Sequence, residues 1–242
     1  MNRTLDSIKG IELFQTRYGY RFSIDAPLLS DFVRKIKPHH IADIGAGNGI
    51  IGILLAKKYP SSKVSVIEIQ QSLYKLCTQN IEMNKVKTRV TPYNLDIGDM
   101  QSLKKSIAEH SYDVVVSNPP FRISRSGKIS PCDEKAIARH EIKINLEKLI
   151  HGIDYLLKPK GSTYLIFHPE RLVELFAGMR KNGIEPKRAR FVHPDRNSES
   201  KMVLIEGVKT ARASVKIEKP FFIYNKRNEY TDEVKKVLDP AQ

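Results

Sequence analysis

Between residues 39 and 117 the chain repeats one pattern: a short apolar run, a polar or glycine-rich break, then a longer stretch of helical periodicity. Strand 39–44, helix 50–59, strand 63–68, helix 70–84, strand 89–95, helix 99–109 and strand 112–117 alternate in that reading. A strand that reaches its successor through a helix points the same way as that successor, so the rhythm predicts an α/β protein with a largely parallel sheet and helices on both faces. Ligands of such sheets gather at the carboxyl ends of the strands. The unusual residues of this chain fall at those ends.

The first end is Asp43-Ile44-Gly45-Ala46-Gly47-Asn48-Gly49, between the apolar Ile41-Ala42 and the helical run Ile50-Ile51-Gly52-Ile53-Leu54-Leu55-Ala56. Gly45, Gly47 and Gly49 let backbone approach a ligand closely, and a helix N-terminus faces it. Gly47 to Gly52 also satisfies G-x-G-x-x-G, a dinucleotide signature, but it starts several residues past the strand end. The acidic Asp43 suits a cationic amino-acid ligand better than a pyrophosphate. Glu68 ends the next strand, where a carboxylate accepts from both hydroxyls of a ribose on an adenosyl cofactor. Asp96, in Leu95-Asp96-Ile97, has two readings: a partner for the adenine ring, or a cap for the helix starting near Asp99.

Asn118-Pro119-Pro120-Phe121 follows the fourth run, Val114-Val115-Val116-Ser117. Two prolines forbid helix at the strand exit and stiffen the backbone, holding an amide, a carbonyl and an aromatic face in fixed geometry. That arrangement grips a planar NH2 group. The amine lone pair of a purine is delocalised into the ring; the Asn118 side-chain oxygen and the Pro119 carbonyl can accept its two hydrogens and favour a more tetrahedral nitrogen, while Phe121 stacks on the base. A core role for Phe121 is the plainer alternative.

With these ends in order, the chain resembles the class I S-adenosylmethionine-dependent methyltransferases, and within them the amino-methylating branch marked by Asn-Pro-Pro-aromatic. Tyr18-Gly19-Tyr20-Arg21-Phe22-Ser23-Ile24-Asp25-Ala26-Pro27-Leu28-Leu29 and Asp133-Glu134-Lys135-Ala136-Ile137-Ala138-Arg139-His140-Glu141 look like segments of the bacterial tRNA adenine-N6 methyltransferases that modify adenosine 37 of a valine tRNA. The likeness runs roughly from Ile8 to Gly207. It implies a Rossmann-like sheet of seven strands with the last antiparallel and inserted, S-adenosyl-L-methionine as cofactor, and tRNA as partner. By the same likeness Asp43 and the glycines hold the methionine end, Glu68 the ribose, Asp96 the adenine, and Asn118, Pro119, Pro120 and Phe121 the target base. Family members often carry Tyr at this position, and Phe121 in its place implies that no phenolic hydroxyl is needed for the chemistry. Nor does amino methylation require His140 as a strong base, because a methylated amine sheds its proton readily.

A formal net charge of +14 over 242 residues favours a polyanionic partner, since clustered Lys and Arg gain from phosphate neutralisation. Arg122, Arg125 and Arg139, in the polar stretch after the prolines, are the candidate RNA contacts. The run Lys181, Lys187, Arg188, Arg190 and Arg196 reads equally as solvated surface or RNA contact. Cys77 and Cys132 form neither a disulfide framework nor a zinc motif, and no His spacing implies a metal. The apolar runs are too short to span a bilayer and no leader follows Met1, so a cytoplasmic protein without membrane partners is expected.

Residues 1–38 read as an N-terminal hairpin or lid, drawn over 8–24, and a helix over 27–37 capped by Asp25 or placing it near the methionine end. Residues 39–208 form the methyltransferase domain, closed by helix 141–157, strand 161–167, helix 169–182 and strands 185–193 and 201–208. Residues 209–242 make a charged tail with a strand at 221–224 and a helix over 232–238. Two rivals share these motifs: a glutamine-N5 methyltransferase acting on a peptide-release factor, and a non-catalytic RNA-binding protein on the same fold.

Overall fold

A computed structural model describes residues 3–16, 24–119 and 146–238. Strands β1 (Arg3–Ile8) and β2 (Ile11–Thr16) form an antiparallel hairpin whose two turn residues, Lys9 and Gly10, both have positive φ (50° and 66°). That is the two-residue turn that matches strand twist. The hairpin therefore starts earlier than the expected 8–24, which contains its turn and all of β2; residues 17–23 lie outside the described residues. Helix α1 (Asp25–Phe32) is shorter than 27–37, and its cap position is Ile24, so Asp25 is a first-turn residue rather than the cap. Lys58 ends α1 from outside: its ammonium donates to the carbonyls of Ser30 (2.8 Å), Asp31 (3.0 Å) and Val33 (2.7 Å), satisfying acceptors that a helix end leaves open.

Then the predicted alternation runs true. Strand β3 (His40–Ile44) leads to α2 (Ile50–Lys58), β4 (Lys63–Ile67) to α3 (Gln71–Met83), β5 (Val90–Tyr93) to α4 (Met100–Ser106), and β6 (Tyr112–Ser117) closes the half. After residue 145 come α5 (Leu146–Leu156), β7 (Leu157–Phe167), α6 (Leu172–Lys181), β8 (Ile184–His193) and β9 (Met202–Lys209). The sheet runs β5-β4-β3-β6-β7-β9-β8, all parallel except β9, which is inserted antiparallel between β7 and β8. These are the seven expected strands. Two more, β10 (Lys216–Ile217) and β11 (Phe221–Phe222), extend the edge by pairing parallel to β8, and α7 (Asp232–Leu238) follows.

Alternation within strands divides the interior into two cores. Val114 and Val116 pack with α1, α2 and α3, whereas Val115 packs with α4, α5 and α6. Helix α2 is buried from Ile50 through Ala56, as a helix apolar on all sides must be. Among the described residues no helix is long and apolar enough to cross a membrane.

Arg188 locks the far half together. It is only 8% exposed, its guanidinium donates to Glu206 (2.7 Å), Glu218 (3.3 Å) and the Phe32 carbonyl (2.8 Å), and it lies 3.7 Å from the Phe32 ring centroid. Arg190 in turn donates to Glu233 (2.7 Å) and the Lys219 carbonyl (3.0 Å). Two members of the basic run thus bind the tail to the sheet instead of facing a polyanion. Arg188→Ala should lower the unfolding free energy by about 3 kcal/mol, the low end for breaking a buried pair, because Glu206 keeps the Tyr164 hydroxyl and Glu218 keeps the exposed Arg34 while both lose their buried guanidinium. Urea denaturation would measure this, and a loss below about 1 kcal/mol would mean the network is solvated.

Candidate active site

Register is what assembles the site. Ile44 of β3 pairs with Ile67 of β4 and with Ser117 of β6, and Ile67 pairs with Tyr93 of β5, so four neighbouring strands end in line. The next residues, Asn94, Glu68, Gly45 and Asn118, therefore stand in a row along one edge, about 4.8 Å per strand step. The chain runs outward from β3 to β5 and then returns to β6 on the other side of β3, so the crevice opens between Gly45 and Asn118. The Ser117 hydroxyl donates to the Ile44 carbonyl (2.8 Å), tying the lips of that crevice.

The glycine loop is held from below by its own donors. Gly45 and Ala46 N–H donate to the Ile67 carbonyl (2.9 and 3.1 Å), Gly47 N–H to Glu68 Oε2 (2.8 Å), Gly49 N–H to the Ala46 carbonyl (2.8 Å) and Ile50 N–H to Asn48 Oδ1 (3.4 Å). All three loop glycines have positive φ, 69°, 58° and 87°. A Cβ on Gly49 would sit 2.6 Å from Cys77 Sγ, whereas one on Gly45 would meet nothing within 4 Å. Gly49 is thus required by packing against α3, and Gly45 by turn conformation in front of open space.

Two acids underlie the loop. Glu68 is 5% exposed, and its other oxygen accepts from Gln70 N–H (2.8 Å). Asp43 is wholly buried; Oδ2 accepts from Gly52 N–H (2.9 Å), while Oδ1 has no partner among the described residues. Burial, reinforced by the charge of Glu68 and only partly opposed by the Gly52 bond, pushes Asp43 up to about 7. The crevice floor is acidic, with loop donors already used. It is suited to a cationic or hydroxyl-bearing ligand, not to an anion.

Asn118 is half-buried and Pro119 buried at the other lip. Asp96 is half-buried, two residues beyond Asn94, and its Oδ1 accepts from Gly98 N–H (2.8 Å). The cap of α4 is Asp99, accepting from Gln101 and Ser102 N–H, so Asp96 is not that cap. Pro120, Phe121, Arg122, Arg125, Arg139 and His140 lie outside the described residues. Sequence reasoning missed Asn94, whose amide donates to the Glu68 and Ile69 carbonyls (2.8 and 3.1 Å), and Asn48, whose Nδ2 is buried without a partner among the described residues. Asn48 was in plain view between two glycines, a position that reads as a turn filler.

A sheet in this order, with one antiparallel strand inserted next to last, defines the class I methyltransferase fold. A predicted O-methyltransferase from Agrobacterium tumefaciens superposes with a TM-score of 0.72 at 18% identity, covering 88% of this chain and 94% of that one. The chain belongs to the methyltransferase small domain family, whose model matches residues 24–168. Among curated relatives, a tRNA1(Val) (adenine(37)-N6)-methyltransferase of Porphyromonas gingivalis is 34% identical over 173 residues, 70% of this chain and 67% of that protein. One of the same name from Dyadobacter fermentans is 29% identical over 153 residues, 63% of this chain and 60% of its own length.

The raised Asp43 makes the ligand-free protein pH-sensitive. A carboxyl whose folded value lies above its unfolded 3.8 contributes stability that is full below about 4 and is lost as pH rises to about 7. Asp43→Asn keeps an oxygen for Gly52 and removes the charge. Urea unfolding without ligand should show the wild type losing stability relative to this variant between pH 4 and pH 8, on the order of 4 kcal/mol if Asp43 titrates alone. Parallel profiles would mean that Asp43 titrates normally.

Proposed function

We propose that the protein transfers a methyl group from S-adenosyl-L-methionine to the N6 amine of an adenosine in tRNA, position 37 of a valine tRNA. The observation that carries this reading is the alignment of Asn118 and Pro119 across the crevice from an acid-floored glycine loop. The names of the P. gingivalis and D. fermentans relatives support the substrate. The acid pair fits the cofactor: Asp43 keeps a buried acceptor free for the methionine end, Glu68 lies one strand away for the ribose, and Asp96 further along for the adenine.

When bound, S-adenosylmethionine supplies an electrophilic methyl group. The chain's own part is to position and polarise the acceptor. The Asn118 side-chain oxygen and the Pro119 carbonyl accept the two amine hydrogens, drawing the nitrogen lone pair out of conjugation toward the crevice. Pro120 stiffens that carbonyl, and Phe121 stacks on the extruded base. Arg122, Arg125 and Arg139 contact phosphates, in keeping with the net charge of +14. A tRNA substrate puts this work in the cytoplasm.

Asn118→Ala should leave S-adenosylhomocysteine affinity unchanged and cut kcat about a hundredfold or more at saturating tRNA, the scale of losing one oxyanion-hole donor. Near-normal turnover would remove the amine grip. Glu68→Ala should instead weaken S-adenosylhomocysteine binding about ten- to a hundredfold, read by calorimetry. The substrate is tested by labelled methyl transfer to total tRNA and, in parallel, to release factor. Label recovered as N6-methyladenosine supports the proposal; label confined to protein overturns it in favour of glutamine methylation.

A further inference from the structure

Asn80 and Asn84 sit one helical turn apart on α3, Asn84 immediately after its last residue. Positions i and i+4 of a helix lie on one face, about 6.0 Å apart along the axis. Positions i and i+2 of a strand lie about 6.7 Å apart and point their peptide groups to the same edge. The two spacings match closely enough for a helix to dock on a strand edge through side-chain amides. Here Asn80 Oδ1 accepts from Phe14 N–H (2.8 Å) and its Nδ2 donates to the Phe14 carbonyl (3.1 Å). Asn84 repeats the pair at Glu12, accepting at 3.2 Å and donating at 2.7 Å. Each amide imitates a neighbouring strand, closing the free edge of β2.

Asn80 differs from Asn84 in one bond. Wholly buried, its Nδ2 also donates to the carbonyl of Asn48 (2.9 Å), between Gly47 and Gly49 in the glycine loop. One carboxamide thus fixes a loop peptide and the edge of the N-terminal hairpin together. The second nitrogen bond of Asn84 returns only to the Asn80 carbonyl within its own helix (2.8 Å). Peptide orientation at Asn48 bears on its neighbours, because Gly49 is held at φ 87° against Cys77 and Gly47 at φ 58° against Glu68.

We propose that Asn80 is a positioning residue for the cofactor loop, coupling its conformation to the seating of the β1–β2 hairpin. This rests on the reading that the loop holds S-adenosylmethionine. Coupling between two sites is reciprocal, so a ligand that stabilises the loop must also stabilise the hairpin contact. Asn84 supplies the control, since its loss removes as many bonds to the hairpin and none to the loop.

Calorimetry with S-adenosylhomocysteine on the full chain should find Asn80→Ala at least tenfold weaker than wild type and Asn84→Ala within twofold, each variant shown by urea denaturation to be folded. Equal affinities for all three, or equal weakening in both variants, would overturn the proposal. A second measurement needs only the wild type: hydrogen exchange at the Phe14 amide should slow at least fivefold when S-adenosylhomocysteine binds, and more than at the Glu12 amide. An unchanged Phe14 rate in the ligand-bound protein would overturn the coupling even if Asn80→Ala did not fold. Wild type that does not bind S-adenosylhomocysteine would sink the cofactor reading itself, and this inference with it. Binding with an unaffected Asn80→Ala would sink the inference alone.

Discussion

In-register parallel pairing of β3 with β4 on one side and β6 on the other is the constraint from which the site follows. Parallel strands can be offset by any number of residues, and an offset of one would send every side chain to the opposite face. Here Ile41 and Val114 are paired and share one core, while Ala42 and Val115 are paired and share the other. Slipping β6 by one residue would mix the two cores, so hydrophobic packing fixes the register. The same register brings Asn118 beside Gly45, and the Ser117 hydroxyl bond to the Ile44 carbonyl ties the two strand ends there. Core composition and site geometry are one decision.

The polar groups at the edge then refine what packing has positioned. Asp43 is costly to bury, and a buried charge is retained only where something compensates. One compensation lies inside the protein, in the Gly52 N–H at the head of α2. It is incomplete, since Asp43 is still pushed up to about 7. Glu68 carries a different load. With both oxygens engaged by backbone N–H groups of Gly47 and Gln70, it is a brace for the loop as well as a candidate ribose acceptor.

How far the sequence reveals this depends on the range of the interactions. The βα rhythm from 39 to 117 is legible because β3, β4 and β6 are mostly buried apolar runs and α3 shows one-sided helical periodicity. Helix 232–238 is legible for the same reason. The first strand of the hairpin is missed because it mixes charged and apolar residues, and only the Lys-Gly turn marks its end. Arg188 reads as solvated surface or RNA contact because it stands in a basic run; its partners Glu206, Glu218 and Phe32 are distant in sequence. Asn80 and Asn84 carry no local signal, since an asparagine in a helix looks like a tolerated defect until the strand edge beside it is known.

The G-x-G-x-x-G match shows how a motif can be satisfied for reasons other than its usual ligand. In a dinucleotide site the middle glycine lets a pyrophosphate approach and the last lets the helix close on the strand. Here Gly52 plays the packing part, because a Cβ there would run into Val66 of β4, and Gly49 also packs, against Cys77. What a pyrophosphate needs from such a loop is free N–H groups, and Gly45, Ala46, Gly47, Gly49 and Ile50 have already spent theirs on Ile67, Glu68, Ala46 and Asn48. With two acids beneath it, the loop presents negative potential where a pyrophosphate site presents positive. The same glycine spacing therefore serves opposite electrostatics, and it is the acids at the strand ends, Asp43 and Glu68, that set the sign beneath this loop.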